Sequence, residues 1–76
     1  MKPEALLDSI SSREDFMQFL EMLIADRSDS TDEWENISLE HFLEAMHAWA
    51  KDSQALNEPP RWRDFAQLLL AGKRYE

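Results

Sequence analysis

The 76-residue sequence has no cysteine, no valine, one glycine (Gly72), one threonine (Thr31) and no long apolar run. Each of these shortages closes a class of function. Without cysteine there is no disulfide, thiolate nucleophile or thiolate metal site. A single glycine cannot form the glycine-rich loop that cradles a phosphate or a dinucleotide. With no valine and only three isoleucines (Ile10, Ile24, Ile37), strands have little to be made from, whereas alanine and straight-chain helix formers are plentiful. Met1-Lys2-Pro3-Glu4 leads into a short mixed stretch that is neither a signal peptide nor a membrane span, so a cytoplasmic location is expected.

Positive charge is also scarce. Sixteen Asp and Glu face eight Lys and Arg, for a formal net charge of -8. Such a chain is repelled by phosphate backbones, because nonspecific nucleic-acid binding is driven by cations that displace counterions. The imbalance is uneven along the sequence: residues 1 to 60 carry -10 and residues 61 to 76 carry +2. The C-terminal segment can therefore pair with the rest. A chain this short buries only about 60% of its unfolded surface, enough for one modest core, and residues 1–76 are expected to form one small acidic domain.

Helical periodicity dominates what remains. Phe16, Phe19, Leu20, Leu23 and Ile24 share one stripe of a helix over residues 13 to 27, opened by Ser11 with Glu14 or Ser12 with Asp15 as a capping box. Residues 28 to 37 are polar, acidic and aperiodic, and read as a loop. Ser38 is a natural N-cap, with Ile37 placed to staple onto Phe42, for a second helix from about Leu39 to Asp52. Its expected stripe is Leu39, Phe42, Leu43, Met46, Trp49 and Ala50. Asn57-Glu58-Pro59-Pro60 is a rigid connector, after which Pro60 or Arg61 opens a third helix carrying Trp62, Phe65, Ala66 and Leu69. Gly72 with Lys73 and Arg74 reads as its C-cap and dipole complement, and Pro3 to Ile10 can form a short helix of its own. Stripes of this kind are buried only against one another, so the expected fold is all-α: a compact bundle of three main helices with a short N-terminal fourth.

No constellation of catalytic residues stands out, and no enzyme, metal or cofactor is expected. An EF-hand register from Asp29 to Glu40 puts Trp34 where the loop needs glycine. His41, Glu44 and His47 lack the second motif that a di-metal bundle requires, and read as a solvated helix face. Ser38-Leu39-Glu40 is similar to the Ser-Leu-acid context of the modified serine in acyl carrier proteins, but Ile37 stands where that family has Asp. An acyl-carrier-like role through Ser38 is thus the alternative.

Trp34-Glu35-Asn36, Leu39, Phe42-Leu43-Glu44-Ala45-Met46 with Trp49, Pro59-Pro60-Arg61-Trp62-Arg63 with Phe65-Ala66, and Tyr75-Glu76 together resemble a family of small bacterial domains of unknown function, from about Ser12 onward. The resemblance implies a bacterial origin and a whole-chain domain, and carries over no site residues.

The leading expectation is a non-enzymatic protein-interaction module, immunity- or antitoxin-like, that uses an acidic face on a basic protein partner and binds neither nucleic acid nor membrane. Residues 28 to 44 hold six acids and no base, a field that steers a cationic partner. The candidate binding residues are Asp29, Asp32, Glu33, Trp34, Glu35, Asn36, Glu40 and Glu44. Trp34 either folds back over the open end of the bundle, the favoured use, or stays exposed as an anchor; its place among acids keeps it with the candidates. The chain is expected to be a monomer or a weak homodimer, given the apolar spread of Leu68-Leu69-Leu70.

Overall fold

A computed structural model describes residues 2–75. It contains three α-helices, α1 (Arg13–Asp29), α2 (Leu39–Asp52) and α3 (Trp62–Arg74), preceded by a 3₁₀ helix over Pro3–Ser9 and with a 3₁₀ turn at Thr31–Glu33. No strand occurs among the described residues. The fold is therefore the expected all-α bundle with a short N-terminal helix, and none of its helices is long and apolar enough to cross a membrane.

Local chemistry explains where each helix begins. The Ser12 hydroxyl accepts the Asp15 amide at 3.1 Å, while the Asp15 carboxylate reaches one residue further back to the Ser11 amide and hydroxyl. Accepting that Ser11 amide is the main reason the Asp15 carboxyl lies below the usual carboxylate range. Ser38 caps α2 through the His41 amide at 3.1 Å. Arg61, rather than Pro60, is the residue before the first turn of α3: its amide donates to the buried Asp64 carboxylate at 2.7 Å, and the Asn57 side-chain amide approaches the same group. α1 runs two residues further than expected, so Ser28 and Asp29 are helical.

α3 is the centre of the packing. α1, the N-terminal segment and α2 all lie on it, while α1 and α2 do not pack on each other. Phe16 meets Trp62 near the N-terminal ends of α1 and α3, and Asp26 meets Lys73 near their C-terminal ends, so these two helices run in the same direction. Ile10, Phe19, Leu23, Trp34, Ala66 and Leu70 form the buried cluster, with Leu6, Leu7, Phe16, Leu20, Phe42 and Leu69 packed around it.

This arrangement corrects two sequence expectations. The stripes imply that every helix meets every other, but Ile24, Leu39 and Leu43 are 69%, 73% and 53% exposed, because α1 and α2 each pack on α3 and not on each other. The buried side of α2 is instead Phe42, Ala45, Met46 and Trp49, with Ala45 innermost. Gly72 is not a C-cap: the helix continues through it to Arg74, and its backbone has no positive φ. What requires glycine there is the close approach of α2. A Cβ on Gly72 would lie 2.7 Å from Phe42 Cε1 and 2.8 Å from Met46 Cγ.

Gly72→Ala should therefore destabilise the fold by about 1–3 kcal/mol through overpacking, although alanine is the better helix former. Leu39→Ala should change stability by less than about 0.5 kcal/mol, since it removes an exposed side chain. Thermal melting followed by circular dichroism checks both.

Candidate functional site

Two charged residues sit inside apolar stripes. Asp26 follows Phe19 by seven positions and Leu23 by three, and Lys73 follows Ala66 by seven, so the helix period turns both toward the core. They meet there: Lys73 Nζ donates to Asp26 Oδ2 at 2.6 Å, with side chains 1% and 4% exposed. The Trp34 indole N–H donates to the same oxygen at 2.9 Å, and Glu4 takes a second bond from Lys73 at 3.0 Å. The ammonium of Lys73 and the guanidinium of Arg27 lie 5.6 and 5.7 Å from the Trp34 ring centre, and Phe42 stacks beside that ring at 6.2 Å. Burial pushes the Asp26 carboxyl up, but hydrogen bonds from Lys73 and Trp34 and the charge of Lys73 outweigh it, holding the group below its usual value of 3.8.

This network fixes the acidic loop. With the indole anchored, the Glu35 and Asn36 amides donate to the Lys73 carbonyl at 3.1 and 3.2 Å, and the Asn36 side chain donates to the Gly72 and Tyr75 carbonyls at 3.1 and 2.8 Å. Asn36 thus satisfies carbonyls that the end of α3 leaves without helical partners. Of the candidates, Trp34 takes the favoured place, folded back over the bundle and only 8% exposed, and the half-buried Asn36 turns its side-chain nitrogen to the end of α3, so these two stand behind the acidic surface. A large amphipathic ring beside a buried ion pair is more stable covered than exposed.

The six carboxylates of the same segment lie outside. Asp29 is on the last turn of α1, Asp32 and Glu33 in the 3₁₀ turn, Glu35 beyond it, and Glu40 and Glu44 on the outer side of α2, all exposed. Glu33 pairs with Lys2, whose hydrogen bond lowers the Glu33 carboxyl and raises the Lys2 amine. The other five make no ion pair among the described residues, whereas three of the four cations of the C-terminal segment are taken up elsewhere: Arg63 by Asp8, Lys73 by Asp26 and Glu4, and Arg74 by Glu4. His41 and His47 are exposed, and among the described residues no group of three or more His, Asp or Glu is arranged to hold a metal ion. The Ser38 hydroxyl is engaged as the cap of α2.

Residues 12–76 match the family of unknown function DUF7660. The chain belongs to this family. The resemblance read from Ser12 onward thus corresponds to a real kinship, and in this DUF7660 chain the match takes in all three α-helices, both partners of the buried pair and the acidic loop, while leaving the N-terminal 3₁₀ helix outside. No curated protein and no solved structure matches the chain significantly.

Lys73→Met strands a buried carboxylate and should cost about 3–5 kcal/mol, whereas the double variant Asp26→Leu with Lys73→Met should recover much of that loss. Denaturant melts of the two single variants and the double variant check this coupling. Because the folded-state pKa of Asp26 is depressed, its stabilisation is present above the usual value of 3.8 and is lost as pH falls through the lower folded value. The melting temperature should therefore decline with acid below about pH 4 more steeply in the wild type than in the double variant.

Proposed function

We propose that this DUF7660 chain is a non-enzymatic protein-interaction module of the bacterial cytoplasm, working as a monomer that captures a basic protein through Asp29, Asp32, Glu33, Glu35, Glu40 and Glu44. The observation that carries this reading is the division of labour among the carboxylates. Elsewhere among the described residues Glu4, Asp8, Asp15, Asp26, Asp52 and Asp64 are engaged by cations, amides or the Tyr75 hydroxyl and only Glu14, Glu21 and Glu58 stand free, scattered singly, while among the described residues five of the six in this one segment have no cationic partner. A solvated face kept only for solubility would have a similar composition, but it would not need a loop held by five main-chain and side-chain hydrogen bonds.

Those bonds make the face pre-organised. Trp34 and Asn36 act from behind it, holding the backbone so that Asp32, Glu33 and Glu35 project outward without further ordering when a partner arrives. An acidic surface of this kind accelerates encounter and rejects acidic competitors more than it adds affinity. One concrete form is an immunity- or antitoxin-like inhibitor of a basic toxin or nuclease.

Affinity capture from the native host, with mass spectrometry of what is retained, tests the proposal. Raising ionic strength from about 0.05 to about 0.5 M should weaken capture markedly. Replacing Asp32, Glu33 and Glu35 together by Asn, Gln and Gln should slow association with the captured partner about tenfold while leaving the fold intact. Capture that is indifferent to salt and to these substitutions counts against the proposal.

A further inference from the structure

The space between α1 and α2 is walled by apolar side chains that no part of the described chain covers. Both helices lie on α3, and their backbones do not approach each other. On α1, Met17, Leu20 and Ile24 recur at i, i+3 and i+7, a spacing that places them on one side of the helix; Met17 and Ile24 are exposed and Leu20 rests against the core. On α2, Leu39 and Leu43 stand one turn apart beside Phe42 and Met46, the two side chains that close over Gly72. From α3, Phe65 packs 6.3 Å from Phe16 on one side and on the other lines a pocket of about 300 Å³ with Leu56, Pro60 and Leu68. Arg27 links the outer walls, because its guanidinium donates to the Ile37 carbonyl at 3.3 Å one turn beyond Ile24, so the exposed Ile37 continues the surface toward Leu39.

Together with Trp62, the exposed large side chains of this face are each between 38% and 73% exposed, a concentration unlike the singly scattered apolar residues of an ordinary surface. An apolar face between two helices that do not pack on each other suits a third helix whose anchors recur at i, i+3 or i+4, and i+7. Charge selects between possible occupants. Each wall carries an exposed carboxylate without an ion-pair partner among the described residues: Glu21 between Met17 and Ile24 on α1, Glu40 next to Leu39 on α2, and Glu58 in the connector before Pro59. Asp32 and Glu35 stand at the end where α1 passes into α2. Arg13 and Arg61 stand at the opposite end, at the starts of α1 and α3, so the field is strongest near the loop. A second copy of this chain would bring another -8 to this face; a cationic partner meets the opposite field.

We infer that the face between α1 and α2 receives an amphipathic helix of a partner protein, with Leu, Ile, Met or Phe on its buried side and Lys or Arg along its flanks. The basic character of that partner rests on the reading of the acidic segment given above. The helix anchors on Ile24, Leu39, Leu43 and Phe65, and its cations pair with Glu21, Glu40 and Glu58.

Calorimetric titration with a peptide of about five helical turns, Leu at the anchor positions and Lys elsewhere, tests this directly. Two control peptides accompany it, one of the same composition scrambled to break the helical period and one with Glu in place of Lys. The periodic Lys peptide should bind in the micromolar range and both controls about tenfold or more weakly. The double variant Ile24→Ser with Leu39→Ser should keep its melting temperature and lose about tenfold or more in affinity for the periodic peptide. Amide shifts should concentrate on Met17, Ile24, Leu39, Leu43 and Phe65. The inference is overturned by absence of binding, by equal binding of the scrambled peptide, by unchanged affinity of the double variant, or by a wild-type dimer in sedimentation equilibrium that the double variant dissolves. Equal binding of the scrambled peptide, abolished by salt, would leave the acidic-face proposal standing. Tight periodic binding that is indifferent to salt and to neutralising Asp32, Glu33 and Glu35 would instead count against the acidic face while retaining the apolar one.

Discussion

The buried pair between Asp26 and Lys73 organises the molecule around a single point. It joins the C-terminal end of α1 to that of α3, recruits the Trp34 indole to the same carboxylate oxygen, and through Glu4 brings in the N-terminal segment. An ion pair removed from water contributes little net stability by itself, because desolvation offsets most of the attraction. Its effect here is positional. A carboxylate in the core has few ways to satisfy its oxygens, so the elements that supply Lys73 and Trp34 must dock in one register, and the loop containing Trp34 follows.

From that register the outer surface follows. Once Trp34 points inward, Asn36 reaches the last carbonyls of α3, and the carboxylates alternating with these two residues are left facing water. The binding candidates thus divide into residues that hold the loop and residues that present charge. The same docking sets α2 against α3 at Gly72, where only a missing Cβ allows Phe42 and Met46 to approach. With α2 committed to α3, it cannot also cover α1, and the apolar sides of both helices remain open.

How much of this could be read beforehand varies with the physics involved. The Ser38 cap and the extent of α2 were legible because a hydroxyl N-cap before a periodic run is a local signal. Ile24, Leu39 and Leu43 were misplaced because periodicity reports which side of a helix is apolar, and not whether another helix is there to cover it. Asp26 and Lys73 left a trace that could have been used: opposite charges, each on an apolar stripe, near the ends of two helices. Trp34 carried no periodic signal, since it lies in a turn. That its indole would face inward depended on a carboxylate eight residues earlier and an ammonium from the end of the chain.

The sequence by itself determined the helical class, most helix boundaries, the family kinship from Ser12 onward and the separation of a -10 body from a +2 C-terminal segment, because composition, caps and local periodicity act over a few residues. Only the tertiary structure decided which charges are consumed inside, which side chains hold the loop, why Gly72 is glycine and which apolar side chains stay uncovered. Those outcomes depend on contacts between residues 47 positions apart for Asp26 and Lys73 and 36 apart for Asn36 and Gly72, where burial turns a charge from a solvated ornament of one helix into the fixed partner of another.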